Sequence, residues 1–203
     1  MWDQRYASDD YVYGTEPNTF LAEHAHRLQG PVLSLAEGEG RNAVFLASLG
    51  LAVLGVDASA VGLAKAQRLA AKRDVSIETA VVDLITYTPP QEHYGAVVSI
   101  FAHLPSQARR RLHRAVEQAL KPGGLILLEG YSKAQLGRGT GGPSDLDMLL
   151  TTADIEQDFP HCEVLLCQEI ERDVTEGRLH TGMASVVQFI GRKPPLLQSK
   201  AAA

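Results

Sequence analysis

One segment of the chain has the residue types of a nucleotide-binding turn. It reads Val32-Leu33-Ser34-Leu35-Ala36-Glu37-Gly38-Glu39-Gly40-Arg41-Asn42-Ala43 and passes from an apolar run through two glycines into a predicted helix. Glycine permits positive φ and lets a ligand approach the backbone, while the N-terminus of the helix offers free N–H groups. The same short pattern also occurs in ordinary strand-to-helix turns, so alone it indicates nucleotide binding only weakly.

Acidic residues end the next two apolar runs and strengthen this interpretation. The run Leu51–Val56 ends at Asp57, and the following run ends at Asp83. A carboxylate at the tip of the second strand is suited to accept hydrogen bonds from both ribose hydroxyls, and one at the third is placed to face an adenine amino group. Asp57 or Ser59 also has the residue type of a helix N-cap, and the two roles are compatible.

Alternating strand and helix patterns surround these residues. Predicted strands are Pro31–Leu35, Ala52–Val56, Ile77–Val82, Ala96–Phe101 and Leu125–Gly130, and predicted helices are Arg41–Leu49, Ala60–Lys72 and Gln107–Leu120. This alternation predicts an α/β fold, with a parallel sheet, helices on both faces and a ligand crevice at the carboxyl ends of the strands. Two later β-rich runs, Val164–Ile170 and Ser185–Ile190, are joined by the polar stretch Glu171–Gly182 and predict a closing hairpin.

A further motif makes the resemblance specific. The turn Leu120-Lys121-Pro122-Gly123-Gly124 precedes an apolar run, and Pro122 is suited to end a helix there. With the Gly38/Gly40 loop, Asp57 and Asp83, it resembles the class I S-adenosylmethionine-dependent methyltransferases. The resemblance implies a three-layer α/β/α Rossmann-like fold, a mostly parallel seven-stranded sheet with an antiparallel last strand, and S-adenosylmethionine as the cofactor.

The N-terminus resembles a narrower branch of that family. Its segments Trp2-Asp3-Gln4-Arg5-Tyr6 and Tyr11-Val12-Tyr13-Gly14-Thr15-Glu16-Pro17 are similar to the tellurite-resistance and thiopurine methyltransferases, in which this region lies over the cofactor. We therefore expect a helical lid segment at residues 1–30, a methyltransferase domain at 31–193 and a flexible tail at 194–203, within one structural domain. Tyr11 and Tyr13 are the expected lid contacts; simple packing of an aromatic-rich helix on the sheet is the alternative.

The glycine loop departs from the family pattern at three positions. Ser34 stands where most relatives have an acid, Ala36 replaces the first glycine and Glu37 replaces a cysteine. Ala36 is costly if its φ must be positive. We hypothesise that Glu37 supplies the missing negative charge and pairs with the ammonium group of the cofactor.

Candidate site residues divide into a cofactor set and an acceptor set. The predicted cofactor residues are Tyr11, Ala36, Glu37, Gly38, Gly40, Asn42, Asp57, Ala58, Asp83, Leu84 and Ile100. His103 is the predicted base for a neutral acceptor, and Arg178 and His180 are the other polar residues expected to reach the crevice. The resemblance implies tellurite, selenite or a thiol as the acceptor, held by basic residues; no metal is required. Tyr131 is expected to line the pocket or pack at an edge, and Gly137–Gly142 to form a loop over the site.

Composition bounds the remaining possibilities. The 203 residues are 45% apolar with a net charge of −5, which suits one core and argues against a nucleic-acid partner. The basic run at Arg109–Arg111, His113 and Arg114 is expected to be a solvated helix face. Two cysteines and the lack of a long apolar run indicate a reduced, cytoplasmic protein that does not enter a membrane. The sequence does not indicate the oligomeric state.

Three other functions remain open at this point. A nicotinamide-dependent oxidoreductase would use the same glycine turn and Asp57, but it fits the Lys-Pro-Gly-Gly turn, Asp83 and the closing hairpin poorly. A non-catalytic S-adenosylmethionine-binding module would account for the altered residues Ser34 and Ala36. A methyltransferase acting on a protein or peptide would use the tyrosine-rich N-terminus as a docking surface.

Overall fold

A computed structural model describes residues 2–178 and 180–195, and strands and helices alternate through most of them. The strands are β1 (Val32–Leu35), β2 (Val53–Asp57), β3 (Glu78–Val81), β4 (Tyr94–Ile100), β5 (Leu120–Tyr131), β6 (Glu163–Glu176) and β7 (His180–Arg192). The helices are α1 (Trp2–Arg5), α2 (Thr19–His24), α3 (Arg41–Ser48), α4 (Ala60–Lys72), α5 (Ser106–Ala119) and α6 (Thr152–Asp158). Short 3₁₀ turns lie at Ala25–Arg27, Lys133–Gln135 and Leu146–Met148.

The strands form one seven-stranded sheet in the order β3-β2-β1-β4-β5-β7-β6. Neighbouring strands from β3 to β5 pair in parallel, whereas β7 is antiparallel to both β5 and β6. The predicted seven-stranded, mostly parallel sheet with an antiparallel last strand is therefore confirmed. The strand order reverses between β1 and β4, which is where open α/β sheets bind ligands.

Helices cover both faces of the sheet because successive strand residues point to opposite sides. On one face Val32 and Val98 pack with residues of α2, α3 and α4, including Phe20 and Leu46. On the other face the neighbouring strand residues Leu33 and Val97 pack with residues of α5 and α6. These two apolar clusters make the three-layer arrangement that the resemblance implies.

The closing hairpin is longer than the sequence predicted. The polar stretch expected to join the two strands is largely strand itself, because β6 extends to Glu176 and β7 begins at His180. Val174 is fully buried, and the carboxylate of Glu176 accepts hydrogen bonds from Arg41 and Arg172. Glu176 is thus paired inside the protein, while Glu171 and Asp173 stay exposed on the same strand, so polarity alone gave the wrong prediction of a connecting stretch.

The basic run on α5 is also only partly solvated. Arg109 and His113 are buried, and Arg109 Nε and His113 Nδ1 each lie 2.8 Å from Asp158 Oδ2 of α6. The prediction of a solvated face is wrong for these two residues because α6 supplies a buried carboxylate opposite them. Arg110 and Arg114 on the same helix are exposed, as expected.

The N-terminal segment is attached to α4. The carboxylate of Asp3 accepts hydrogen bonds from the Ser59 hydroxyl and the Val61 N–H, at the start of that helix. Lys65 Nζ donates to the carbonyls of Ser8 and Asp10. The division into lid, domain and tail stays a prediction, and the tail beyond residue 195 lies outside the described residues. Within the described part of the chain, no helix is long and apolar enough to cross a membrane.

Candidate functional site

A cavity of about 910 Å³ lies at the carboxyl ends of the central parallel strands. Its walls include Ala36 after β1, Asp57 at the end of β2 and Ile100 at the end of β4. The N-terminal segment contributes Trp2, Arg5, Tyr6, Tyr13 and Gly14, and the loop before α6 contributes residues 141–145. The cavity thus occupies the crevice that the strand pattern predicted.

Two glycines shape the loop between β1 and α3. Gly38, at φ +59°, lines the cavity, and its N–H donates to Asp57 Oδ2 over 2.8 Å. Gly40, at φ +97°, does not line the cavity; a Cβ there would lie 2.5 Å from the Cα of Ala66. Gly40 therefore has a packing role that lets α3 approach α4, and its contact with the cofactor stays a prediction.

Asp57 is held in a fixed orientation facing the cavity. Its Oδ1 accepts the Ser59 N–H at 2.8 Å while Oδ2 accepts the Gly38 N–H, and burial raises the pKa of the carboxyl. The N-cap of α4 is Ser59, whose hydroxyl accepts the Gly62 N–H at 3.0 Å. Asp57 therefore keeps the second lone pair of each oxygen for a ligand hydroxyl.

The altered residues of the glycine loop form a small buried unit. Glu37 Oε1 accepts the Ala43 N–H at 2.9 Å, and Oε2 accepts the hydroxyl hydrogen of Ser34. Burial raises the pKa of Glu37 to about 7. The Glu37 carboxyl thus lies next to Ser34, the position at which most relatives have an acid. Its pairing with the ammonium group of a ligand stays a prediction. Ala36 has φ +49°, which is the costly conformation for a residue with a Cβ.

Four of the remaining cofactor candidates line the cavity, and one, Tyr11, does not. Ala58, Asp83, Leu84 and Asn42 line it, and Asp83 is exposed with Oδ1 accepting the Ile85 N–H at 2.9 Å. Tyr11 lies outside the cavity lining, because its hydroxyl donates to the Lys65 carbonyl at 3.1 Å and its ring packs on the apolar core. For Tyr11 the structure favours the alternative packing role; Tyr13 does line the cavity.

His103 is less available as a base than its position suggested. Its Nδ1 lies 3.1 Å from the Met148 carbonyl, and its Nε2 accepts the Tyr131 N–H at 3.4 Å. Burial lowers its pKa to about 4. In the neutral ring that this implies, Nδ1–H donates and the Nε2 lone pair is occupied, so no lone pair is left for a substrate proton.

The two hairpin candidates separate in the structure. His180 lines the cavity, and its buried Nδ1 has no hydrogen-bond partner among the described residues. Burial, followed by the nearby Arg41 charge, lowers the pKa of His180 to about 3. Arg178 points away from the cavity: its side chain is 68% exposed and lies 3.6 Å from the carboxylate of Asp10. The prediction that Arg178 reaches the crevice is thus wrong, because this residue lies at the exposed turn of the hairpin.

The sequence analysis missed Arg41 and Phe101. Arg41 is buried in the cavity wall, pairs with Glu176, and keeps Nη1 without a partner within residues 2–178 and 180–195. Phe101 lines the cavity at φ +52°, and its ring centroid is 4.6 Å from that of Tyr131. Arg41 directly follows Gly40 in the glycine-loop motif, and this position could have indicated that it lies at the cavity. Tyr131 itself is fully buried on the interior strand β5 and packs behind the lining, so neither pocket lining nor edge packing describes its position.

The glycine-rich loop contributes Gly141 and Gly142 to the cavity. Among the described residues, no group of three or more histidine, cysteine, aspartate or glutamate side chains is arranged to hold a metal ion. The thiols of Cys162 and Cys167 are not joined to each other, and burial raises the pKa of each.

Comparisons with known proteins find similarity in the central part of the chain. Residues 32–124 match the family model described as a methyltransferase domain. A 2-heptyl-1-hydroxyquinolin-4(1H)-one methyltransferase of Mycobacteroides abscessus is 26% identical over 124 residues, covering 60% of this chain and 52% of the relative. The chain thus spans about half the length of that curated relative.

Solved structures share the fold over most of the chain. TehB from Haemophilus influenzae superposes with a TM-score of 0.71 at 17% identity, over 95% of this chain and 65% of that one. An S-adenosylmethionine-dependent methyltransferase from Mesorhizobium loti gives a TM-score of 0.65 at 18% identity, over 86% and 98%. At these identities the likeness shows the Rossmann-like methyltransferase fold.

The methyltransferase model that residues 32–124 match implies S-adenosylmethionine as the cofactor, and the cavity is compatible with a molecule of that kind. Asp57 offers free lone pairs at the end of β2, and Gly38 lines the same cavity at a point where a Cβ would lie 2.8 Å from the Tyr6 hydroxyl. The cavity volume is within the roughly 300–1,000 Å³ usual for small-molecule sites.

Proposed function

We propose that this protein is an S-adenosylmethionine-dependent methyltransferase that acts on a small-molecule acceptor. The observation that carries the proposal is the convergence of the Gly38 loop, Asp57 and Asp83 on one cavity, within the residues that match a methyltransferase domain. The relative named for methylation of a hydroxyquinolone supports a small acceptor.

The proposed cofactor residues are those that line the cavity from β1 to β4. Asp57 accepts the ribose hydroxyls, Asp83 faces the adenine, and Gly38 allows close approach of the backbone. The other members of this set are Ala36, Glu37, Asn42, Ala58, Leu84 and Ile100. Bound S-adenosylmethionine supplies an activated methyl group on a sulfonium. The protein aligns the acceptor with it, and Trp2, Tyr6 and Tyr13 of the lid segment exclude water.

The acceptor we propose is tellurite, selenite or a thiol-like compound. Two observations support this class: the N-terminal motif and the structural likeness to TehB. These acceptors are nucleophilic without strong base catalysis. That suits a cavity in which both ring nitrogens of His103 are already engaged. A cytoplasmic location and the absence of a nucleic-acid partner remain predictions from composition.

Calorimetric titration with S-adenosylmethionine, S-adenosylhomocysteine and NAD tests the proposed function. We expect both adenosyl ligands to bind and Asp57→Ala to weaken them at least about 30-fold, because each hydrogen bond to a charged group contributes roughly 1.5–3 kcal/mol. Asp173→Ala, which removes an exposed acid of β6 outside the cavity, is the matched control and should bind as the wild type does.

The outcomes separate the candidate functions. Binding of NAD in place of the adenosyl ligands would favour the nicotinamide-dependent alternative. Adenosyl binding without methyl transfer to tellurite, selenite or thiols would favour the non-catalytic module or a different acceptor. Radiolabelled methyl transfer to a peptide pool but to no small molecule would favour the protein methyltransferase.

A further inference from the structure

A second cavity lies at the opposite edge of the sheet from the first. Its volume is about 490 Å³, and its lining includes Gly30, just before β1, Gly95 near the amino end of β4, and the first residues of β5. Among the described residues, none lines both cavities. From Gly95 to Ile100, β4 rises by about 3.3 Å per residue, so roughly 17 Å of sheet separates the two. A ligand in the second cavity would therefore not touch a methyl acceptor in the first.

Three cations from distant parts of the chain line this second cavity. Arg27 belongs to the 3₁₀ turn after α2, Lys121 to the start of β5, and Arg192 to the end of β7. None of the described residues that line it is acidic. The whole chain has a net charge of −5, so this local excess of positive charge is opposite to the average. The potential inside the cavity therefore favours an anion.

Most of the donors on these cations are not engaged by the protein. Within residues 2–178 and 180–195, Arg27 and Lys121 form no ion pair with a carboxylate. Arg192 is half exposed, and its Nε and Nη2 donate to Glu163 Oε2 at 2.9 and 2.6 Å, which leaves Nη1 unengaged. Three positive charges beside the one carboxylate of Glu163 leave an excess of two, which is the charge that a ligand would have to balance.

Stabilisation of a helix end does not account for Lys121. Cations often stabilise the carboxyl end of a helix by donating to its last carbonyls. At the end of α5 this is done by Lys193, whose Nζ donates to the carbonyls of Leu120 at 2.7 Å and Gln118 at 3.4 Å. Lys193 also lies 3.5 Å from Glu92, so its charge is balanced. Lys121 has neither contact and instead lines the cavity.

Glycines leave the space between the cations open. Gly30, Gly95, Gly123 and Gly124 all line the cavity, so no side chain from these four positions fills it. The volume is within the roughly 300–1,000 Å³ usual for small-molecule sites. A guanidinium binds phosphate oxygens through paired hydrogen bonds, and an ammonium acts on them as a point charge. The combination therefore suits a compact anion with more than one negative charge.

We propose that the second cavity binds a small polyanion of the phosphate or diphosphate type. Arg27, Lys121 and the Nη1 group of Arg192 supply the hydrogen-bond donors, and the lining glycines leave room for the phosphate oxygens. The site is independent of the proposed methyl transfer, because it lies at the other edge of the sheet. Its occupation therefore neither requires S-adenosylmethionine nor displaces it.

Calorimetric titration with sodium pyrophosphate at low ionic strength tests this site. We expect a dissociation constant at or below about 1 mM. Added sodium chloride should weaken binding, because it screens exposed charges. In ¹H–¹⁵N spectra the amide signals of Gly95, Gly123 and Gly124 should shift, whereas those of Gly38 and Gly142 in the first cavity should not.

Two double variants with the same net charge separate a specific site from general attraction. Arg27→Gln with Lys121→Gln should weaken pyrophosphate binding at least about tenfold, because it removes charge-assisted hydrogen bonds. Lys72→Gln with Arg110→Gln removes two exposed cations that lie outside this cavity and should leave the affinity within about twofold of the wild type. Circular dichroism spectra that match the wild type would show that both double variants fold.

Three results would overturn the proposal. The first is no pyrophosphate binding by the wild type at about 10 mM. The second is a shift of the Gly38 and Gly142 signals in place of those of Gly95, Gly123 and Gly124, which would put the anion in the first cavity. The third is an equal loss of affinity in the two double variants. A hexaglutamate peptide that binds more tightly than pyrophosphate would also overturn it, because the surface would then suit an acidic protein segment.

Discussion

Lys65 is the cation that joins the N-terminal segment to the glycine loop. It lies on α4 and is 1% exposed. Its Nζ donates to the carboxylate of Glu39 and to the carbonyls of Ser8 and Asp10, and it lies 5.1 Å from the ring centroid of Tyr11. One buried ammonium therefore holds together the N-terminal segment, the glycine loop and α4.

Replacement of this residue, Lys65→Met, should be strongly destabilising although it keeps the apolar stem. It leaves the buried Glu39 carboxylate with the Tyr13 N–H, at 3.3 Å, as its hydrogen-bond donor. Removing one partner of a buried ion pair costs about 3–5 kcal/mol, since the other charge remains desolvated. With a urea m-value of roughly 2 kcal/mol/M, the unfolding midpoint should fall by about 1.5–2.5 M.

Urea unfolding monitored by circular dichroism, with limited proteolysis of the same variants, measures both effects. Proteolysis should begin within residues 1–17, because the Ser8 and Asp10 carbonyls lose their donor. Arg73→Met is the matched control: it removes an exposed partner of Glu16 and should cost no more than about 1 kcal/mol. The double variant Lys65→Met with Glu39→Gln should recover part of the loss. A Lys65→Met variant within 1 kcal/mol of the wild type would refute this reasoning.

Two further predictions concern the backbone of the glycine loop and the buried histidine. Ala36→Gly should leave the free energy of unfolding unchanged or raise it by up to about 1.5 kcal/mol, because glycine relieves the left-handed conformation (φ +49°) at a smaller entropic cost. Thermal denaturation that shows a loss above about 1 kcal/mol would contradict this prediction. The folded-state pKa of His103, about 4, lies below the unfolded value near 6.5, so the unfolded state takes up the proton first as the solution is acidified. The contribution of His103 to the free energy of unfolding is complete above about pH 6.5, and it falls by about 3 kcal/mol as the pH drops to 4. Urea unfolding at pH 7.0, 5.5 and 4.5 should show a shallower decline for His103→Asn than for the wild type, and parallel declines would count against it.

The sheet, and the meeting of Gly38, Asp57 and Asp83 at one cavity, could be predicted because their information is local in sequence. Gly38 and Asp83 come shortly after β1 and β3, Asp57 ends β2, and parallel strands bring their carboxyl ends to one edge. The proline and glycines at Lys121–Gly124 correctly predicted the end of α5, which is at Ala119, but not a separate turn, because β5 already begins at Leu120.

The full length of the hairpin and the buried charges beside the cavity could not be predicted, because the residues that stabilise them are distant in sequence. Glu176 is satisfied by Arg41, 135 positions away, so a segment that is polar by composition becomes a buried strand end. The same limit applies to Arg109, whose burial depends on Asp158 of another helix. The residue pattern of a helix or strand predicts which of its faces is apolar. It does not reveal a charged residue that a distant segment places against that face.

Asn18 shows how these distant segments act together. Its Nδ2 donates to Glu129 at the end of β5 over 2.7 Å and to Glu176 of the hairpin over 2.8 Å, while its N–H donates to Asn42 of α3. The lid segment, the glycine loop and the hairpin are therefore linked through one buried polar group. Arg41 belongs to the same group through Glu176 and also lines the cavity. The residues that fix this part of the cavity wall therefore come from four separate segments of the chain, and a sequence pattern confined to any one of them does not reveal the arrangement.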